Sequence, residues 1–308
     1  MSKNIQNIFD IALKQSKGGC LSDGYITPDG NCYKAYYTKK EWDNHLDDMI
    51  SNHGTAYRAF DKGNGGELYE KRNRYGNIVP PKMASYASSS RFIYELSKNI
   101  QDYRFECKLP TSFGASKASL DGYIESKRLY VEAKCHEIYN ASLSSNYNDS
   151  YKFFYNYLKE HTNGCLNYLI DKNRIHFIWN KKNLETLELK QLLCHMLGIA
   201  NKALQEWDFC PKTATLVYLV YNPDDILDWI PDDVSKNSIL ERWRNEKKEA
   251  EGIDLKLLYN HIVHYLSTYK RDWQKNKPYS SEVDKIADAF EFRFCDQHDY
   301  IFTINGVK

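Results

Sequence analysis

The chain has 308 residues, 42% of them hydrophobic and 27% charged, with a formal net charge of +1. That is apolar material for one large domain or two of ordinary size, and it argues against a disordered chain. No apolar run approaches the roughly 20 residues that span a bilayer, and Met1 to Lys17 interleaves Asn, Gln, Asp and Lys with its apolar residues, unlike a secretory signal. A cytoplasmic protein that engages no membrane is expected.

The eight cysteines (20, 32, 107, 135, 165, 194, 210 and 295) form no CxxC pair, which points to reduced thiols. Cys20, Cys32, His45 and His53 are four ligand types in one stretch, but their spacing fits no familiar zinc finger. The near-zero net charge is unevenly spread. From Lys62 to Lys117 there are ten Lys and Arg against five acids, a local basic excess that suits either a solvated face or a polyanion.

Turn signals at Thr27-Pro28-Asp29-Gly30 and Gly63 to Gly66 mark residues 1 to 75 as an irregular, partly helical region, with a helix over about Lys40 to Ser51. Ser88-Ser89-Ser90 can cap a helix reaching about Asp102. Three strands with period-two alternation follow at Tyr103 to Leu109, Ser119 to Glu125 and Leu129 to Cys135. Next come a helix-rich stretch over Ser150 to Ile170, a strand at Arg174 to Trp179, an amphipathic helix over Leu184 to Leu204 and a buried strand at Thr213 to Tyr221. Helices over Val234 to Ala250 and Ile253 to Asn276 and a strand near Phe290 to Thr303 complete the chain. This order predicts an α/β (α+β) fold, a mixed β-sheet flanked by helices, with a core over 76–225 and helical additions at 1–75 and 226–308.

The chemistry concentrates in one hairpin. With Glu125-Ser126-Lys127-Arg128 as the turn, Ile124 pairs with Leu129 and Asp121 falls opposite Glu132. Opposed residues of an antiparallel pair share a face about 5 Å apart, and Lys134, two residues beyond Glu132, points the same way. Two carboxylates side by side repel, so a divalent cation held by Asp121, Glu132 and the Ala133 carbonyl is the natural compensation. Mg²⁺ suits such oxygen ligands, and Lys134 would orient water or neutralise developing charge. An acid followed two residues later by lysine occurs six times in the chain, but only Glu132 lies in a strand with an Asp placed opposite by register.

At these residues the sequence resembles the PD-(D/E)XK nuclease superfamily, the restriction-endonuclease-like fold: Asp121 matches its first acid and Glu132-Ala133-Lys134 its acid-x-Lys element. Leu120 stands where the superfamily's proline often precedes the acid. The stretch from Pro81-Lys82-Met83 through Ser90-Arg91-Phe92 looks like a bacterial group assigned as restriction endonucleases. The resemblance implies a Mg²⁺-dependent endonuclease, with Mn²⁺ as substitute, acting on double-stranded DNA in restriction or genome defence. A homodimer and a cognate methyltransferase would be its partners. It implies Glu95 as a further acid from the first core helix, and Gln191 from the second as an auxiliary. A solvent-facing stripe shared with Glu188, His195 and Lys202 is the alternative for Gln191. Glu106, with Lys108 beyond it, and His136 can share the catalytic face by alternation. Lys82, Ser88, Ser89, Ser90 and Arg91 could contact the phosphate backbone, although capping explains the serines equally well.

Overall fold

The computed structural model describes residues 2–63, 66–139, 145–206, 212–269 and 280–306. Helix α1 (Ser2–Ser16) precedes a two-stranded ribbon of β1 (Tyr25–Ile26) and β2 (Cys32–Tyr33). Helix α2 (Lys39–Asn52) starts at a capping box in which Thr38 accepts from the Glu41 N–H and Glu41 accepts from the Thr38 N–H. After α3 (Gly54–Asp61) comes a second ribbon, β3 (Lys71–Arg72) with β4 (Ile78–Val79). This region is tied together by Lys14, 2% exposed, whose ammonium donates to the carbonyls of Asp23, Lys34 and Tyr36. A buried charge is tolerable because each proton finds an acceptor.

The central sheet has five strands in the order β13-β12-β7-β6-β5. Strands β5 (Tyr103–Pro110), β6 (Lys117–Ile124) and β7 (Leu129–Lys134) form an antiparallel meander, while β12 (Ala214–Val220) runs parallel to β7 and to β13 (Phe290–Cys295). The molecule is therefore mixed α/β, with helices on a mixed sheet. Every residue of β7 and β12 is buried, as expected of central strands covered on both faces, and each large aliphatic side chain enclosed there contributes roughly 1.5–3 kcal/mol. Helix α4 (Ser89–Ser97) packs on β6 and β7, and α6 (Leu189–Gln205) on β5 and β6. The approach of α6 depends on Gly198, where a Cβ would lie 2.8 Å from that of Leu109 and 2.9 Å from that of Ala118.

A smaller sheet of β8 (Ser145–Asn146), β9 (Leu166–Asp171), β10 (Arg174–Trp179) and β11 (Lys182–Asn183) lies between these elements. Here the expected helix over Ser150 to Ile170 is corrected. Helix α5 covers only Lys152–His161, because Asn163 (φ 52°) and Gly164 (φ 80°) turn the chain into β9. The turn from β9 to β10 is Lys172-Asn173, both at positive φ, the geometry of a tight hairpin. Three other boundaries move. Helix α4 stops at Ser97 rather than Asp102, α6 starts at Leu189 rather than Leu184, and β13 ends at Cys295, with α10 (Tyr300–Gly306) in place of the expected strand end. Helices α7 (Asp233–Gly252) and α8 (Leu255–Tyr269) fall where periodicity placed them, residues 270–276 of the second expectation lying outside the described residues; α9 (Ser280–Asp288) precedes β13. No helix among the described residues is long and apolar enough to cross a membrane.

Candidate active site

The β6–β7 register is the expected one: Ile124 pairs with Leu129, Tyr123 with Tyr130 and Gly122 with Val131. The turn is a short 3-10 segment over Glu125–Lys127, closed by Arg128 in the left-handed region (φ 48°). Away from the turn the ladder ends at Gly122↔Val131, so Asp121 and Glu132 occupy the first position at which the two strands no longer pair. On its other side Asp121 faces Glu106, which has φ 57° and interrupts the β5–β6 ladder between Phe105↔Gly122 and Cys107↔Leu120. Three acids thus stand at one level on three adjacent strands.

A cleft of about 400 Å³ opens at this level, lined by Asp121, Glu132, Ala133, Lys134, Gln191 and Glu106, with Lys82, Glu67 and Ser88 to Ser90 on its walls. Asp121 Oδ2 accepts from the Ala133 N–H at 2.7 Å. In a strand the N–H and C=O of one residue point to the same neighbour, so the Ala133 carbonyl faces the same side. Glu132 and Lys134, 3% and 8% exposed, are held closely: Lys134 Nζ lies 2.9 Å from Glu132 Oε1, and Gln191 bridges them, accepting from Lys134 at 2.6 Å and donating to Glu132 Oε1 at 2.6 Å. His195, one turn further along α6 and 1% exposed, places Nε2 2.9 Å from Glu132 Oε2.

The electrostatics divide the two carboxylates. Burial and the neighbouring Glu132 push Asp121 well above the usual carboxylate range. Burial also works to raise Glu132, but Lys134 and His195 overcome it and hold that carboxyl at about 2. Glu106 is raised by burial and by Glu67. For Lys134, burial is outweighed by Glu132 and Glu137, and its ammonium is held above the ordinary lysine value. The arrangement is a close Glu132–Lys134 ion pair beside an acid, Asp121, whose burial and like-charged neighbour outweigh the offset from Lys134 and the Ala133 N–H.

Several expectations are corrected by position. Glu95 is not on the cleft: it is bound by Lys98 at 2.7 Å and Arg91 at 3.4 Å on the side of α4 that faces His45. Arg91, 4% exposed, is no surface cation. It donates to the Met83 carbonyl and lies over the Tyr37 ring, 4.1 Å from its centroid. Ser88 caps α4 by accepting from the Arg91 N–H, and Ser89 donates to Glu137 Oε1 while accepting from the Cys135 N–H; both are structural, and only Ser90 lines the cleft without such a bond to explain it. Lys82 lines the cleft, paired with Glu67 at 2.6 Å. Lys108 is exposed two residues from Glu106, and His136 lines the cleft with Nδ1 2.9 Å from Asp10 of α1.

The solvent-facing stripe is also overturned. Gln191 and His195 face Glu132, because α6 buries most of its circumference between β5, β6 and α8. Glu67 and Glu137 went unnoticed. Glu67, 6% exposed with Oε2 unpartnered, sits far upstream in chain and carried no strand or helix pattern to place it. Glu137 lies just past the acid-x-Lys element, in a short 3-10 turn that strand alternation does not reach.

Asp121, Glu132 and the Ala133 carbonyl form an oxygen set of the kind Mg²⁺ takes, and the crowding of Asp121 by Glu132 and Glu106 favours a cation there. Among the described residues no group of three or more His, Cys, Asp or Glu side chains could hold a metal ion, so water and phosphate oxygens would have to complete the shell. The same holds for Cys20, Cys32, His45 and His53, which form no zinc site; the two cysteines are exposed and His45 packs on Tyr37. No family model matches the chain, nor does any curated protein or solved structure.

Proposed function

We propose that the chain is a Mg²⁺-dependent endonuclease with a restriction-endonuclease-like core, hydrolysing phosphodiester bonds of double-stranded DNA in restriction or genome defence. What carries the reading is the end of the β6–β7 ladder at Asp121 and Glu132, with Lys134 2.9 Å from Glu132 in the same cleft. The element order supports it, since α4, the β5–β6–β7 meander, α6 and β12 follow one another as in the nucleases that the hairpin resembles.

Bound by Asp121 and Glu132, Mg²⁺ would lower the pKa of a bound water and stabilise charge on the phosphoryl group. Glu132, whose carboxyl Lys134 and His195 hold low, and Asp121 would hold it. Lys134 presents a fixed ammonium to the charge that grows on the phosphoryl oxygens as water adds and the P–O bond breaks. Gln191 and His195 orient Glu132.

One observation favours a second reading. Glu132 already pairs with Lys134 and Gln191 and lies 2.9 Å from His195 Nε2, as a DNA-binding protein that retains the fold without cutting would have it. Incubation of plasmid and linear duplex with Mg²⁺, with EDTA and with Lys134→Ala separates the two. Cleavage that disappears in both controls is expected, and duplex binding without any cleavage in Mg²⁺ or Mn²⁺ would reject the nuclease.

A further inference from the structure

The β3–β4 ribbon is a basic projection beside the cleft. Its base belongs to the cleft wall: Glu67 and Lys82 line the cavity and pair with each other, and the backbone closes across them through Lys82 N–H to Gly66 and Met83 N–H to Glu67. Its outer part carries Lys71, Arg72 and Arg74, all exposed, and ends at Tyr75, 71% exposed.

The tip is built rather than slack. Asn73 Oδ1 accepts from the N–H groups of Tyr75 and Asn77, Gly76 takes the positive φ (83°) that the turn demands, and Arg72 donates to the Gly76 carbonyl at 2.8 Å. The Arg74 guanidinium lies over the Tyr75 ring, 4.7 Å from its centroid, and donates to its hydroxyl at 2.6 Å. The one acid of the ribbon near these cations, Glu70, accepts from the Tyr25 hydroxyl at 3.0 Å, and Asp29 accepts from the Ile78 N–H, so β1 and β2 brace the ribbon from behind. A tyrosine this exposed, under a guanidinium and flanked by two more cations, presents an aromatic surface and positive charge together to a partner.

We infer that this ribbon enters the major groove of duplex DNA and holds the duplex on the cleft, with Lys71, Arg72 and Arg74 on phosphates and base edges and Tyr75 against the groove floor. The inference rests on the nuclease reading for the position of the duplex. Two strands about 4.8 Å apart make a ribbon that a groove about 12 Å wide admits. From Glu67 to Arg74 the chain reaches at most about 25 Å, so the cleft and the ribbon tip fall within one helical turn of DNA, about 34 Å.

The test is fluorescence anisotropy of a labelled DNA duplex with the full chain in EDTA at several salt concentrations, alongside plasmid cleavage in Mg²⁺. The variants are Lys71→Gln/Arg72→Gln/Arg74→Gln, Tyr75→Ala and Lys134→Ala. Expected are a loss of at least about 30-fold in affinity for the triple variant, with a salt slope shallower by about 3, about 10-fold for Tyr75→Ala, and loss of cleavage for Lys134→Ala. The altered ribbon side chains are exposed, so melting temperatures of the ribbon variants should match the parent, and Tyr75→Ala carries the test if the triple variant does not fold. Parental affinity and salt slope in the triple variant, preference of the parent for duplex RNA, or no duplex binding at all would overturn the ribbon's role. Cleavage with unchanged binding in the triple variant leaves the nuclease standing without the ribbon. Lost binding in a protein that never cleaves leaves the ribbon standing without the nuclease.

Discussion

Asp121 is flanked by Glu106 and Glu132 on neighbouring strands, and one backbone N–H is a weak offset to two carboxylates. Like charges opposed across strands destabilise. Asp121→Asn keeps an oxygen for the Ala133 N–H and removes the repulsion, so it should raise the melting temperature by about 2 °C while abolishing Mg²⁺-dependent cleavage; a variant less stable than the parent at neutral pH would mean that Asp121 is not strained. Gln191 and His195 act through Glu132, so as positioning residues they should cost 10- to 100-fold in cleavage when changed singly to Ala, with duplex binding unchanged. A shifted Mg²⁺ dependence would mark the loss as positional rather than structural. Asp121, Glu132 and Lys134 were legible because a four-residue turn sets hairpin register locally. The three acids at one level were half legible: alternation offered Glu106 for the face, but not the positive φ that breaks its ladder. Glu95 was misplaced because residues at the end of one helical turn reach either the cleft or Arg91 and Lys98, and sequence does not say which.

Among the elements, α6 decides whether the site is assembled. It carries Gln191 and His195 over β7, and its height over the sheet is set where Gly198 meets Leu109 and Ala118. A β-branched side chain there cannot be accommodated by side-chain rotation, since both obstacles are Cβ atoms. Gly198→Val should therefore lift α6, lower stability by about 1–3 kcal/mol and reduce cleavage. Gly198→Ala should show the same direction with smaller size, and an Ala variant as active and stable as the parent would show that α6 has room to move. The amphipathic period of α6 was plain in the sequence, yet its polar stripe pointed inward, because periodicity gives the faces of a helix without saying which is solvated. The β9 strand was lost for the opposite reason. Leu166 to Asp171 continues the apolar spacing of α5, and only Asn163-Gly164 announces the turn.

Across the whole molecule, buried titrating groups outside the three acids of the cleft add to how stability follows pH, Glu246 and His136 among them. Glu246 of α7 lies fully enclosed against β12, accepting from the Tyr218 hydroxyl at 2.5 Å, and burial pushes its carboxyl up to about 8. An acid raised in the folded state contributes stability that is complete below its unfolded value, near 4.3, and lost as pH rises through about 8. His136 joins α1 to the cleft through Asp10; burial works against its charge, but the Asp10 carboxylate prevails and raises it. Its contribution is likewise complete below the unfolded value near 6.5 and lost as pH rises past the folded one. The signs agree, so the molecule should be most stable on the acid side of neutrality and lose stability towards pH 9, at a slope of at most about 1.4 kcal/mol per pH unit for each group that titrates. Glu246→Gln should make the slope between about pH 5 and pH 8 shallower, leaving the part that Asp121 and Glu106 carry with the same sign, and Asp10→Asn should remove the part due to His136. Urea unfolding at a series of pH values measures both, and stability that rises from pH 6 to pH 9 in the parent would refute the burial of charge argued for α7.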